Sequence, residues 1–250
     1  MSGHSKWANI KHRKESADKK RGAVFTKLAR AITVAAREGG GDLDTNFSLR
    51  LAVDKARGAN MPKDNIDRAI ARGTGDAKGD QMERVVYEGY GPHGAAILID
   101  ALTDNRNRTV AEIRHLFGRH GGSLGETGSV AWQFEARGMI TLPSGDTDAD
   151  ELALAAIDAG ALDIELDGDL VTVMTEPGRL HQVGQSLQAV GFDTHESELA
   201  MVPTNPVIME DRQTMSILRL VESLEDLDDV DRVWTNLDIS DAVVEAFASA

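Results

Sequence analysis

The chain has 250 residues, of which 41% are hydrophobic, 27% charged and 4% aromatic, and this balance excludes wholesale disorder. It has no cysteine, which excludes disulfides, thiolate metal sites and cysteine nucleophiles. No stretch approaches the roughly 20 apolar residues of a membrane span, and the N-terminus lacks the apolar run of a secretory signal. The composition therefore predicts a cytoplasmic protein without a membrane partner.

The net charge of −14 argues at first against a nucleic-acid partner, but its distribution reverses that inference. Residues 1–78 contain 17 lysines and arginines against 9 acids, a net charge of +8. Residues 79–250 contain 10 lysines and arginines against 32 acids, a net charge of −22. This asymmetry is typical of a basic binding segment attached to an acidic body.

The first 78 residues predict a basic tail followed by three short helices. Residues 1–21 are cationic and too poor in apolar residues to form a core. Apolar residues then recur at helical spacing from Val24, and Gly39–Gly41 end that helix. A second helix is predicted over Thr45–Arg57, and a third begins with Pro62 at its first position and ends at Gly73. Residues 74–80 are typical of a linker.

Residues 80–135 predict an α/β segment. Val85–Glu88 and Ala95–Thr103 have strand patterns around a turn rich in glycine. Thr109 with Glu112 forms a capping-box pattern that predicts the start of a helix there. Val130–Phe134 is predicted as a further strand.

Residues 137–203 predict a ferredoxin-like unit, because strands and helices alternate in the order β-α-β-β-α-β. The predicted elements are Met139–Leu142, Ala149–Ala159, Leu162–Leu166, Leu170–Thr175, a helix with Leu180, Val183, Leu187 and Val190 on one face, and Asp193–Leu199.

The last part of the chain predicts a helix around Met215–Leu224, a strand over Val230–Thr235 and a closing helix over Ala242–Phe247. Neither this part nor residues 80–135 is complete alone, so we expect them to pair into one domain. The sequence thus predicts an α+β multidomain protein with an N-terminal three-helix bundle (1–78), a discontinuous middle α/β domain (79–136 plus 204–250) and an inserted ferredoxin-like βαββαβ domain (137–203).

Nucleic-acid binding is predicted mainly for the basic N-terminal part, because a cationic tail can follow a phosphate backbone and release counterions. Trp7 and His12 are candidates for stacking on bases, and Arg30 and Arg37 for extending the basic surface along the first helix. A solvated tail, a Trp7 ring packed on the bundle, and an organelle-targeting segment are the alternatives. The candidate residues are Lys6, Trp7, Lys11, His12, Arg13, Lys14, Lys19, Lys20, Arg21, Lys27, Arg30, Arg106 and Arg108.

The last two candidates lie in the polar stretch Leu102–Thr109, between a strand and a helix start. Arg106 and Arg108 could bind phosphates at the helix N-terminus. Equally, Asp104 and Asn105 could cap the helix while the arginines pair with nearby acids. The glycine-rich stretch 121–129 lacks both phosphate-loop patterns and predicts a flexible turn.

No catalytic constellation is evident. The seven histidines are scattered, and His115 and His120 lack metalloprotease spacing. The acidic run from Asp226 to Asp231 lacks the glycine of a calcium loop and is typical of a solvated helix end. We therefore predict no enzyme, cofactor, metal or small-molecule substrate, and a nuclease or hydrolase is the disfavoured alternative. The ferredoxin-like unit, with a charge of −11 over 137–199, should repel nucleic acid and suits a basic protein partner.

Seven short motifs are spread along the chain: residues 1–14 (MSGHSKWANIKHRK), 60–66 (NMPKDNI), 87–92 (YEGYGP), 102–109 (LTDNRNRT), 121–125 (GGSLG), 128–130 (GSV) and 224–230 (LEDLDDV). Together they closely resemble the YebC family. One departure is Trp234-Thr235-Asn236, where the family usually has Tyr-x-Asn; the aromatic ring is kept.

The resemblance implies an N-terminal helical domain and two α/β domains, the last inserted into the second. It implies either a DNA-binding transcriptional regulator at promoters or a translation factor. The translation factor would resemble the mitochondrial activator of cytochrome c oxidase translation, bind the ribosome and relieve stalling at proline-rich stretches. Because the family motif begins at residue 1, we expect no organelle presequence and a bacterial protein.

Two functional hypotheses stay open at this stage. The first is a non-enzymatic nucleic-acid-binding regulator, acting on promoter DNA or on ribosomal RNA. Because the acidic body would be repelled by a long duplex, the charge distribution favours the ribosome. The second is an acidic protein-binding adaptor without direct nucleic-acid contact.

Overall fold

The computed structural model of the chain describes residues 6, 7, 10, 21–75, 82–143, 149–167, 170–192, 194 and 196–248. It confirms the predicted α+β class: a helical N-terminal region is followed by α/β parts. No helix in these ranges is long and apolar enough to cross a membrane. Two compact units divide the chain, one of residues 17–131 with 212–233, the other of residues 1–16, 132–211 and 234–250.

The first unit begins with three helices: α1 (Arg21–Gly39), α2 (Phe47–Gly58) and α3 (Lys63–Thr74). Helix α2 begins where the side chain of Asn46 accepts a hydrogen bond from the Leu49 N–H, which satisfies one of the free donors of the first turn. Ile32, Leu49 and Ala56 are fully buried in the core that the three helices share. The apolar spacing in the sequence is therefore the packing stripe of each helix.

The turn between α2 and α3 depends on Asn60, whose φ of 59° lies in the left-handed region that asparagine tolerates better than most residues. This turn places Met61 in the core at 5% exposure. Pro62 is the N-cap residue and Lys63 the first helical one, so the helix starts one residue later than the sequence predicts.

A four-stranded sheet in the order β3-β1-β2-β9 follows the bundle. Strands β1 and β2 pair antiparallel from Glu83 opposite Thr103 to Tyr90 opposite Ala96, and β2 is buried along its whole length. Strand β9 lies beside β2, so two distant parts of the chain contribute to this sheet. The elements of this part are β1 (Glu83–Tyr90), β2 (Ala96–Thr103), α4 (Arg106–Arg119), β3 (Ser123–Leu124), α7 (Asp211–Glu225) and β9 (Val230–Thr235).

Two predictions about this part are wrong. Helix α4 begins at Arg106 and not at Thr109, because the Asn105 side chain caps it by accepting from the Arg108 N–H at 3.1 Å. The two strands predicted over 130–134 and 139–142 are one strand, β4 (Phe134–Pro143), preceded by a 3-10 turn at Ala131–Gln133.

Strand β4 opens the ferredoxin-like part of the second unit. Its sheet has the order β5-β6-β4-β7 with every neighbouring pair antiparallel, which confirms the predicted ferredoxin-like arrangement. Leu152, Val183 and Leu187 of its two helices are fully buried. The elements after β4 are α5 (Ala149–Ala159), β5 (Asp163–Asp167), β6 (Leu170–Thr175), α6 (Leu180–Ala189) and β7 (Glu196–Pro203).

The second unit also contains two short strands and a terminal helix. Val207–Ile208 (β8) and Leu237–Asp238 (β10) pair in parallel, and α8 covers Asp241–Ala248. The sequence does not predict the two short strands. The borders of the two units differ from those of the three predicted domains, so those domain boundaries stay a prediction.

Candidate nucleic-acid interface

A groove of about 710 Å³ runs between α1 and α3 of the first unit, and arginines line both of its sides. Arg30 and Arg37 come from α1, and Arg68 and Arg72 from α3. Its apolar lining includes Phe25, Ala29, Met61 and Ala69, and Asp104 is the acidic residue that lines it. We call this feature the arginine groove.

The spacing of the arginines explains why they share one opening. Arg30 and Arg37 are seven residues apart, about two helical turns, and Arg68 and Arg72 are four apart, about one turn. Each pair therefore projects from one face of its helix. The two helices are linked by a 3.2 Å hydrogen bond from the Thr33 hydroxyl to the Ala69 carbonyl oxygen.

Three of the four arginines keep donors for a ligand. Arg37 is exposed and donates to the Met82 carbonyl oxygen at 2.8 Å. Arg68 is exposed and donates to the Asp64 carbonyl oxygen and the Asn65 side chain. Arg72 is exposed and has no partner in the described part of the chain. Since a guanidinium has five N–H donors, these contacts leave most of the donors unused.

Arg30 and Lys27, both predicted to bind nucleic acid, hold α1 against the segment between α7 and β9. Lys27 Nζ donates to the carbonyl oxygens of Glu225 at 2.5 Å and Val230 at 3.0 Å. Arg30 Nη1 donates to the Asp228 carbonyl oxygen at 2.7 Å and to Asp229 Oδ1 at 2.5 Å. Much of their charge is therefore used within the unit.

The Asp229 carboxylate also binds the N-terminal turn of α4. It is 3% exposed and accepts from Arg108 Nη2 and the Thr109 hydroxyl, each at 2.7 Å. Burial by itself would raise the pKa of Asp229, but the hydrogen bonds from Arg108 and Thr109 and the positive charge of Arg30 hold it below its usual value. Asp229 is thus a buried anion that organises the cations around it.

The arginines of the 102–109 stretch therefore have carboxylate partners. Besides Asp229, Arg108 binds Asp104 at 2.7 Å, and Arg106 makes a two-pronged ion pair with Glu83, with both bonds at 2.5 Å. These ion pairs and the Asn105 cap correspond to the alternative stated above, in which polar side chains cap the helix and the arginines pair with nearby acids. A phosphate-binding role for Arg106 and Arg108 stays a prediction.

Lys6 and Trp7 lie in the second unit, in contact with α8. Lys6 Nζ binds Asp241 Oδ1 at 2.6 Å, and this hydrogen bond lowers the pKa of the Asp241 carboxyl. The Trp7 ring is 5% exposed and packs edge-on against Phe247 with centroids 5.6 Å apart. A ring buried in this way does not offer its face to a base, so the structure gives Trp7 a packing role.

The other candidates lie outside the described residues, namely Lys11, His12, Arg13, Lys14, Lys19 and Lys20. Arg21 is the first residue of α1, and only its backbone is described. Of the four arginines that line the groove, Arg30 and Arg37 were expected on the basic surface of the first helix. Arg68 and Arg72 were not predicted, although two arginines four apart on the polar side of an amphipathic helix are a signal in the sequence.

The glycine-rich stretch 121–129 is held in place by Glu88. The Glu88 carboxylate is buried and accepts from the N–H groups of Gly128, Val130 and Ala131, each at 2.7 Å. Burial would raise the pKa of Glu88, but these backbone hydrogen bonds keep it below its usual value. Strand β3 adds pairing with Gly89 and Tyr90, so the stretch is fixed at both ends and is not the flexible turn that was predicted.

Family models match both parts of the chain. A model described as TACO1/YebC protein N-terminal domain matches residues 5–76, and one described as TACO1/YebC second and third domain matches residues 82–237.

Similar proteins cover nearly the whole chain. A protein of Halothermothrix orenii named "Probable transcriptional regulatory protein" is 50% identical over 98% of each chain. One of Thermomicrobium roseum with the same name is 52% identical over 94% of this chain and 96% of that protein. The crystal structure of a conserved hypothetical protein from Aquifex aeolicus has 40% identity and a TM-score of 0.84, covering 90% of this chain and 93% of that one.

Proposed function

Because the chain belongs to the TACO1/YebC family, we propose that it is a non-enzymatic regulator of gene expression that binds nucleic acid through the arginine groove. The name of its relatives supports a regulator. The basic segment 1–21 would add charge to the same interaction. The observation that carries this proposal is the set of three exposed arginines, Arg37, Arg68 and Arg72, on the two sides of one groove.

The lining of the groove favours a single-stranded segment over a duplex. Guanidinium groups bind phosphate oxygens in a two-pronged manner, and an aromatic side chain such as the half-buried Phe25 can contact the face of a base. A duplex keeps those faces stacked inside the helix, whereas a single strand exposes them. We therefore propose a single-stranded stretch of RNA or DNA as the ligand.

Ribosomal RNA is the target that the charge distribution supports best. The 32 acids of residues 79–250 would be repelled along an extended DNA duplex, but can lie beside basic ribosomal proteins. A ribosome-bound translation factor that relieves stalling at proline-rich stretches is our preferred form of the proposal. A regulator at promoter DNA is the second form.

An acidic adaptor that binds only proteins is the competing function. The observation in its favour is that Lys27, Arg30, Arg106 and Arg108 are all engaged within the first unit, which leaves fewer free cations than the sequence suggests. Binding measurements with nucleic acid separate the two functions.

The test is the affinity of the full chain for a fluorescent single-stranded oligoribonucleotide and for a duplex DNA. We expect Arg68→Ala with Arg72→Ala to weaken binding at least tenfold, because two charge-assisted contacts are lost. We also expect the slope of log K against log salt concentration to become shallower by about one unit for each lost phosphate contact.

The matched control is Lys55→Ala with Arg57→Ala, which removes the same charge from exposed positions of α2 outside the groove. If the control weakens binding as much as the groove variant, attraction to net charge explains the binding and the groove is not the interface. If the unmodified chain binds neither nucleic acid, the adaptor function is favoured.

A further inference from the structure

Helix α5 of the ferredoxin-like part is apolar on two sides. Leu152 and Ala156 are fully buried, as expected for the side that packs inward. Leu154 and Ile157 lie on the other side and are 66% and 65% exposed. Large aliphatic side chains exposed one turn apart on a helix are typical of a surface that another molecule covers.

A shallow groove of about 420 Å³ lies beside this side of α5, between α5 and the end of α6. Leu154, Ala155 and Ala159 line it from α5, and Val190 and Phe192 line it from the segment where α6 ends. Val190 is 63% exposed. The apolar surface therefore continues from one helix to the next.

Acidic groups border the groove. Glu151 and Asp158 line it from α5, one helical turn on either side of the exposed leucine. The residues from 137 to 199 contain 13 acids against two arginines. Both arginines are engaged: Arg137 binds Glu135 at 2.7 Å, and Arg179 donates to the Ala159 carbonyl oxygen at 3.1 Å. The groove thus combines an apolar floor with a negative border.

We propose that this groove binds a basic amphipathic helix of a partner protein. A helix fits because a groove between two helices accepts apolar side chains at positions i, i+3, i+4 and i+7 of a third. Lysines or arginines next to those positions would meet Glu151 and Asp158. A negative border also speeds the approach of a basic ligand and disfavours acidic ones.

The same charges argue against the other occupants. A symmetric pair of this chain joined through the groove would bring two equally acidic surfaces together, and like charges in contact oppose association. Nucleic acid would be repelled for the same reason. The inference does not depend on the proposed nucleic-acid function, since no residue of the arginine groove takes part in it.

The probe is a fluorescent synthetic peptide of about three helical turns, with leucines at helical spacing on one side and lysines elsewhere. One comparison peptide has the same residues in scrambled order. The other keeps the order but has glutamates in place of the lysines. We expect the full-length protein to bind the basic amphipathic peptide at least tenfold more tightly than either comparison peptide.

Variants then locate the binding. Leu154→Ser and Val190→Ser should each weaken peptide binding at least tenfold, while Leu166→Ser, an exposed leucine of β5 outside the groove, should leave it unchanged. The double variant Glu151→Gln with Asp158→Asn should weaken peptide binding and reduce the dependence of binding on salt concentration. This double variant tests the proposal even if a serine variant fails to fold.

Three results would overturn the proposal. In the first, the comparison peptides bind as tightly as the basic amphipathic one. In the second, the groove variants behave like Leu166→Ser. In the third, the chain self-associates in analytical ultracentrifugation and Leu154→Ser abolishes that association, which would assign the groove to a second copy.

Discussion

Asp229 shows how much of the first unit depends on a single carboxylate. It lies between α7 and β9, its backbone carbonyl oxygen accepts from the Leu102 N–H at 2.7 Å, and its side chain binds α1 through Arg30 and α4 through Arg108. Removing the Asp229 carboxylate takes the acceptor from the buried Thr109 hydroxyl, the ion-pair partner from Arg30 and one of two from Arg108. Losing several hydrogen bonds to one buried charge costs more than losing a surface ion pair.

We therefore expect Asp229→Ala to lower the free energy of unfolding by about 3 kcal/mol or more. Asp228→Asn is the control, because the Asp228 side chain is exposed and only its backbone oxygen accepts from Arg30. Urea denaturation of both variants measures the difference. Equal stability of the two variants would show that the Asp229 contacts do not hold the unit together.

The lowered pKa of Asp229 also gives its contribution a direction in pH. The pKa of Asp229 is lower in the folded chain than in the unfolded chain. Its contacts therefore stabilise the fold fully at a pH above the unfolded-state pKa, and this stabilisation is lost as the pH falls through the folded-state pKa. The stability gap between the chain and Asp229→Ala should therefore narrow in acid.

Asp100 on β2 behaves in the opposite way. Burial raises its pKa to about 6, against the opposing charge of Arg84, whose Nε lies 3.6 Å from Oδ2. Its other oxygen, Oδ1, is buried with no hydrogen-bond partner among the described residues. Between about pH 4 and pH 6 the folded chain keeps this carboxyl protonated, whereas the unfolded chain, in which its pKa is the ordinary 3.8, has lost the proton. The free energy of unfolding therefore falls as the pH rises through this range.

Asp100→Asn should remove this loss. We expect the variant to be more stable than the chain above pH 6, by up to about 3 kcal/mol, and equally stable near pH 3. Denaturant titrations across this pH range measure the difference. A constant difference at all pH values would contradict the raised pKa.

At the level of elements, apolar periodicity predicts nearly all the helices and strands, because packing stripes have a fixed period. The errors occur where a tertiary contact decides the local structure. Thr109 has the pattern of a helix cap, yet its hydroxyl binds the buried Asp229 and the cap moves to Asn105. The two-residue strand β3 depends on pairing with β1, which no local pattern specifies.

The candidate site was harder to predict than the fold. Charge composition directs attention to the N-terminal part, but which cations are free depends on packing. Lys27 and Arg30 look available in the sequence and are engaged by Glu225, Val230 and Asp229. Arg68 and Arg72 become part of a groove only because α3 packs beside α1.

That packing depends on Gly73. A Cβ at this position would meet the Thr33 carbonyl oxygen and lie 2.7 Å from the Ala36 Cβ, neither of which can move without shifting α1. We expect Gly73→Ala to destabilise the chain by about 1–3 kcal/mol. Gly58→Ala in α2 is the control, since nothing lies within 4 Å of its Cβ and alanine favours a helix.

Thermal unfolding and oligonucleotide binding measured on both glycine variants connect this packing with the groove. Gly73→Ala should lower the melting temperature and, in the remaining folded protein, weaken binding by changing the distance between the two arginine pairs. Similar melting temperatures for the two variants would mean that α1 and α3 do not approach as closely as described.

For the whole molecule, the net charge of −14 is the sum of +8 over residues 1–78 and −22 over residues 79–250. The basic part contains the arginine groove, and the ferredoxin-like part contains an acidic, apolar groove suited to a basic helix. If both proposals hold, the protein can bind an RNA and a basic protein through different parts of its chain. The acidic part would also disfavour binding along extended DNA.

Ultraviolet crosslinking in cells, followed by mapping of the nucleotide adducts on the protein, tests nucleic-acid binding by the arginine groove most directly. We predict adducts on the peptide that contains the groove residue Phe25, with RNA as the attached nucleic acid and ribosomal sequences most frequent. The absence of any adduct, or adducts confined to residues 132–211, would contradict the account.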